Sequence, residues 1–112
     1  MCLGCGTPLD NPLCLQAEDD RRFEFRLSLR VNQAWARGLG ADSRLWDKVW
    51  QMEFVRKGRE WYLVHNPSAR NDTILNGHSV SKLERLRLGD VVAVGRANKR
   101  ILLTRLTVVD PS

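Results

Sequence analysis

The stretch from Trp61 to Gly77 reads WYLVHNPSARNDTILNG, and its order of strand, polar loop and tight turn decides the fold. Trp61, Tyr62, Leu63 and Val64 suit a pleated, half-buried strand. Asn66-Pro67-Ser68 ends that strand, because proline supplies no backbone donor and its polar neighbours bond locally to the main chain. Asn76-Gly77 favours the φ > 0 geometry of a two-residue hairpin. Between them, Ser68, Arg70, Asn71 and Asp72 bring side chains that bond to nearby backbone, and Arg70 and Asn71 are also placed to reach outward to a ligand.

Working outward, the flanking segments repeat the strand-and-turn rhythm. Upstream, Lys48 to Val55 sets Trp50, Met52 and Phe54 on one side and Val49, Gln51 and Glu53 on the other, before Lys57-Gly58-Arg59-Glu60 turns into the Trp61 strand. Nearer the start, Leu13 to Ala17 alternates and Glu18 to Arg21 is a polar turn. Phe23, Phe25, Leu27 and Leu29 then alternate with Glu24, Arg26, Ser28 and Arg30, which predicts an N-terminal hairpin with one face buried. Downstream, Val91 to Gly95 is uniformly apolar and should lie deep, Asn98-Lys99-Arg100 turns, and Ile101 to Val109 closes the sheet. No stretch repeats a helical period, and Ser79 to Leu88 is the one place where a short turn fits. The pattern predicts an all-β, two-sheet sandwich of about eleven short, mostly antiparallel strands.

A length of 112 residues fits one domain with a core of its own, assigned to residues 11–110 behind an N-terminal tail, residues 1–10. Hydrophobic content of 43% and charged content of 28% are ordinary for a globular chain, so the composition points neither to disorder nor to membrane insertion. The opening Met1 to Pro8 lacks the basic and long apolar regions of a secretory signal, and a cytoplasmic setting is expected. A formal charge of +5 favours acidic partners: phosphorylated peptides, nucleic acid or an anionic surface. Arginines are scattered through nearly every segment instead of gathered in one block, so most read as the solvated faces of alternating strands.

Cys2, Cys5 and Cys14 include a C-x-x-C pair followed by glycine, a common zinc knuckle. A structural zinc takes four ligands, the chain has no fourth cysteine, and His65 and His78 lie far along the sequence; reduced thiols and no metal or other cofactor are expected. Trp35, Trp46, Trp50 and Trp61 read as core or rim packing. His65 and His78 have no paired nucleophile, and no activated nucleophile, paired carboxylates or glycine-rich strand-to-helix turn marks an enzyme.

The order aromatic strand, Ser68-Ala69-Arg70-Asn71-Asp72-Thr73, Asn76-Gly77, then Leu88-Gly89-Asp90-Val91-Val92-Ala93-Val94-Gly95 resembles the C-terminal half of a forkhead-associated (FHA) domain. That family's pattern has a Ser-x-x-Asn-Gly-Thr loop, an Asn-Gly turn, and Gly-Asp before an apolar strand ending in glycine. Asp72 stands where the family usually has glycine. The resemblance implies a β-sandwich that binds a partner protein, phosphothreonine-containing in the family, through loops at one end. It also assigns the ligand contacts: Ala36-Arg37 takes the Gly-Arg place, so Arg37 is the phosphate contact; Asn71 takes the place of the peptide-gripping asparagine; Arg70 adds a second cation. For the family's Ser-x-x-His two registers remain, Ser43-Arg44-Leu45-Trp46 and Asp47-Lys48-Val49-Trp50, with tryptophan in place of histidine in both. Ser43 serves as a contact in the first. In the second, Asp47 sets a carboxylate where a phosphate belongs.

Three classes follow. One is a protein-interaction module, phosphothreonine-dependent if Arg37, Ser43 and Arg70 converge. Another is the same fold as a phosphate-independent docking or oligomerisation element. The third is a basic nucleic-acid-binding β domain, disfavoured by scattered arginines and by the lack of an aromatic stacking strand.

Overall fold

The alternation just described is realised in a computed structural model that describes residues 12–39 and 43–110. In chain order the elements are β1 Leu13–Gln16, β2 Arg22–Phe25, β3 Leu29–Val31, helix α1 Gln33–Gly38, β4 Met52–Lys57, β5 Glu60–His65, β6 Asp72–Leu75, β7 His78–Ser79, β8 Leu83–Leu86, β9 Val91–Arg96 and β10 Ile101–Val109. All pairings are antiparallel. One sheet runs β2-β1-β10-β9-β6-β7 and the other β3-β4-β5-β8, so the sandwich is as expected, with ten strands among the described residues.

Inward-facing positions of both sheets meet in one core, in which Leu15, Met52, Phe54, Leu63, Val92, Val94 and Leu106 are fully buried. Burying each such side chain is worth about 1.5–3 kcal/mol relative to leaving it in water. At one end the aromatic residues cluster. The Trp35 ring lies 6.3 Å from Phe23, 6.1 Å from Phe25, 5.8 Å from Trp46 and 6.5 Å from Phe54 in tilted contacts, so these residues pack as the sequence suggests.

Four local expectations are corrected. The alternating row Phe23 to Arg30 is two strands, not one: β2 belongs to the six-stranded sheet and β3 to the four-stranded one. The chain crosses between sheets at Leu27, which is 80% exposed, and β4 pins the crossing, since Arg56 donates from its backbone N–H to Ser28 Oγ and from Nη1 to the Arg26 carbonyl. Helix α1 was not legible, being only six residues long. Asn32 caps it by accepting from the Trp35 N–H at 3.0 Å, and Ala36 is the residue it buries. Ser79 to Leu88 forms no helical turn; its middle is β8, paired with β5 from Trp61↔Leu86 to Val64↔Leu83. Gln51, set by alternation on the side opposite Met52 and Phe54, does not continue that row: β4 starts only at Met52, and Gln51 just before it is 0% exposed.

The turns hold to expectation. Asn76 and Gly77 have φ of 51° and 88°, joining β6 to β7, and the Asn76 amide also receives the Val91 N–H at 2.9 Å and donates to Asp90 Oδ1 at 3.0 Å. β10 is irregular in the middle: its register against β9 shifts between Leu103 and Leu106, with Thr104 at φ 56°. Among the described residues no helix is long and apolar enough to cross a membrane.

Candidate functional site

At the pole where β3 and β5 end and β6 begins, the connecting segments are longer than tight turns, and buried side-chain amides hold them. The centre is Gln51. Its backbone N–H bonds the Val31 carbonyl at 2.8 Å, its Oε1 accepts from the Asp47 N–H at 2.9 Å, and its Nε2 donates to the Asn71 carbonyl and to Thr73 Oγ1, both at 3.1 Å. One buried residue therefore ties its own segment, 47–51, to the end of β3 and the start of β6. A buried group left without such a partner costs about 1–3 kcal/mol.

Two asparagines finish the frame. Asn66 Nδ2 donates to the Trp50 carbonyl at 2.8 Å while its Oδ1 receives the Ser68 N–H at 2.9 Å. Asn71, 9% exposed, donates from Nδ2 to the Leu45 carbonyl at 2.9 Å and accepts from Arg96 Nε at 3.2 Å. On the far side, the Trp46 indole N–H reaches Thr104 Oγ1 at 3.2 Å, so the bulge in β10 anchors the 43–50 segment. Helix α1 joins through Gln33, whose backbone N–H bonds the Asp47 carbonyl at 2.9 Å and whose Nε2 bonds the Ser43 carbonyl at 3.1 Å.

These segments enclose a groove of about 420 Å³ with Gln33 at one side, the 44–49 segment along it, and Arg70 and Asn71 at the other. Arg44, Lys48 and Arg70 make it cationic, and Asp47 is the carboxylate in its wall. Lys48 and Arg70 are exposed and make no ion pair among the described residues. Asp47 Oδ1 accepts from the N–H groups of Val49 at 2.9 Å and Trp50 at 3.3 Å, which folds the segment into a local turn. Arg30 lies over the Trp50 ring, 4.4 Å from its centroid.

Of the residues anticipated as contacts, Arg70 and Asn71 line the groove together. Arg37 does not. It is exposed on α1, one turn beyond Gln33, and Gln33 is the residue of that helix in the wall. Ser43 stands at the margin, where its carbonyl receives Gln33 Nε2 and the Trp46 N–H, but it is not part of the wall. Asp47, the alternative to Ser43, does line the groove. Gln33, Lys48 and Gln51 were missed as site residues. The sequence signal for Gln33 is Asn32 before it, a helix-cap residue type that starts α1 at Gln33.

His65, at the end of β5, has Nδ1 2.8 Å from Thr73 Oγ1, and burial lowers its pKa below the ordinary histidine range while Asp72 pulls the other way. Cys14 is buried on β1, away from the groove, and burial pushes its thiol up; Cys2 and Cys5, like the tail assigned to residues 1–10, lie outside the described residues. Among the described residues no group of three or more His, Cys, Asp or Glu side chains is placed to hold a metal ion. A larger cleft of about 570 Å³ opens at the opposite pole, but there Arg85 is bound to Glu60 at 2.9 Å, and Arg59 and Asp110 are engaged as well.

No family model matches the sequence, and no curated protein does. Solved structures do. A domain from a structural and functional study of phosphothreonine-dependent FHA domain interactions aligns with a TM-score of 0.64 at 19% identity, over 90% of this chain and 98% of that one. The FHA domain of FhaA, solved in complex with the intracellular domain of Rv3910, gives 0.61 at 20% identity over 86% and 98%. The FHA domain of an Arabidopsis thaliana hypothetical protein gives 0.65 at 16% identity over 93% and 89%. Two antiparallel sheets in this order, matched over nearly the whole length of three such domains, give this chain the forkhead-associated fold.

Proposed function

We propose that the chain is a protein-interaction module, not an enzyme, that captures an anionic segment of a partner protein in the groove between residues 44–49 and 70–71. The observation that carries this reading is the placement of Lys48 and Arg70 in one groove with no ion pair among the described residues, at the end of the sandwich where long segments are rigidly tied. Charge-assisted bonds from such side chains to a carboxylate or phosphate are shorter and stronger than neutral ones. The structural neighbours support the class of ligand, one belonging to a study of phosphothreonine-dependent interactions and another holding a partner's intracellular domain. Phosphothreonine is therefore the first anion to test, and an intracellular setting goes with this reading.

A second reading has its own support. Gln33 and Asn71 use their amides on the chain's own carbonyls, which favours docking without phosphate. Titrating the protein with degenerate peptides centred on threonine, glutamate or phosphothreonine separates the readings. The expected result is binding to at least one anionic set, weakened tenfold or more by Arg70→Ala with unchanged thermal stability. Arg37→Ala, outside the wall, should change affinity less than threefold. Equal binding to the threonine set would favour charge-independent docking.

A further inference from the structure

Several donors in and beside the groove already serve the chain itself. Gln33 Nε2 bonds the Ser43 carbonyl, Asn71 Nδ2 bonds the Leu45 carbonyl, and the adjacent N–H groups of Val49 and Trp50 both point to Asp47 Oδ1. Two successive backbone N–H groups converging on one oxygen make a concavity suited to an anion, and here the anion is part of the chain. Asp47 Oδ2 accepts no bond among the described residues, so the carboxylate keeps an unengaged oxygen as well as its charge in the groove wall.

Lys48 and Arg70 offer a ligand their charge. The planar fork of an arginine matches the two oxygens of a carboxylate as well as two oxygens of a phosphate. A phosphothreonine differs by bringing close to a second negative charge and a third acceptor oxygen. With the Val49 and Trp50 N–H groups held by Asp47, those two donors are closed to the extra oxygen, and the added charge faces the Asp47 carboxylate in the groove wall, a like-charge approach that is unfavourable at close range.

Resting on the reading of this groove as the binding surface, the geometry points to Asp47 as a built-in anion that sets it for a partner segment bearing a single negative charge. The ligand is an aspartate or glutamate side chain in preference to a phosphorylated residue. Asp47 acts as a specificity-determining residue by occupying donors and adding charge. The unphosphorylated acidic segment is bound constitutively, with no kinase required.

Two degenerate peptide libraries, identical except for a central glutamate or phosphothreonine, test this against the wild-type chain, Asp47→Asn and Asp47→Ser. Both variants keep an acceptor for the Val49 and Trp50 N–H groups, and thermal unfolding checks that each is folded. The wild type should bind the glutamate library at least as tightly as the phosphothreonine library. Asp47→Asn should move the ratio toward phosphothreonine by tenfold or more. A wild-type preference for phosphothreonine, or a ratio unchanged in both folded variants, overturns the inference and leaves the groove reading intact. No binding of either library by any form removes the groove reading itself, and this inference with it.

Discussion

The two poles of the sandwich are built differently. At one, short turns join successive strands: Gly58 at φ 64° between β4 and β5, Asn76-Gly77 between β6 and β7, and Gly89 at φ 89° before β9, where the chain changes sheets and Asp90 Oδ2 receives the Arg87 N–H at 2.8 Å. One of its surface cations is paired, Arg85 with Glu60. At the other pole Gln51, Asn66 and Asn71 hold longer segments from within, and Lys48 and Arg70 are left available outside. The contrast teaches where binding capacity comes from. A tight turn satisfies its own backbone and presents little, whereas an irregular segment needs buried partners and, once tied, can hold side chains toward a ligand.

The largest effect that would sharpen this contrast comes from the amide hub. Gln51→Ala leaves the Asp47 N–H, the Asn71 carbonyl and Thr73 Oγ1 each short of a partner, and should destabilise the fold by roughly 2–4 kcal/mol in urea unfolding. A loss below about 1 kcal/mol would mean that the groove pole is held by something other than this hub.

Next in size is a pH effect confined to the same pole. The folded pKa of His65 is depressed by burial, so the unfolded chain holds the proton more tightly. Its contribution is therefore fully present above the ordinary histidine value of 6.5 and is lost as pH falls through that value toward the lower folded one. Urea midpoints measured from neutral to mildly acidic pH should fall, and His65→Gln should flatten that decline. An equal slope in the variant would show that the half-buried ring is not the source. The smallest effect belongs to the opposite pole: Arg85→Ala removes a surface ion pair whose side chains are 47% and 41% exposed, and should shift stability by at most about 0.5 kcal/mol without changing peptide affinity. A large loss there would erase the distinction between the poles.

The same division explains how far the residues could be read in advance. The tight turns at Gly58 and Asn76-Gly77 were legible because their cause is local: Gly58 and Gly77 permit φ > 0, and Asn76 tolerates it. The buried rows of β4, β5 and β9 followed from the sequence pattern. The row from Phe23 to Leu29 misled because alternation says which side a residue faces but not which sheet it belongs to. Leu27 lies at the crossing, where neither sheet needs it. Arg70 and Asn71 were located by the loop that carries them, but the role of Asn71 was not, since its partners Leu45 and Arg96 are each about 25 positions away.

By itself the sequence determined a two-layered β domain, its tight turns and the loop of residues 68–72, because each depends on neighbours a few positions apart. Tertiary structure alone decided that Gln33 and not Arg37 enters the groove, that Gln51 is buried at its centre, and that Asp47 holds the N–H groups of Val49 and Trp50. A polar side chain looks the same in sequence whether it meets water or a buried carbonyl, and only the meeting of distant segments supplies the carbonyl.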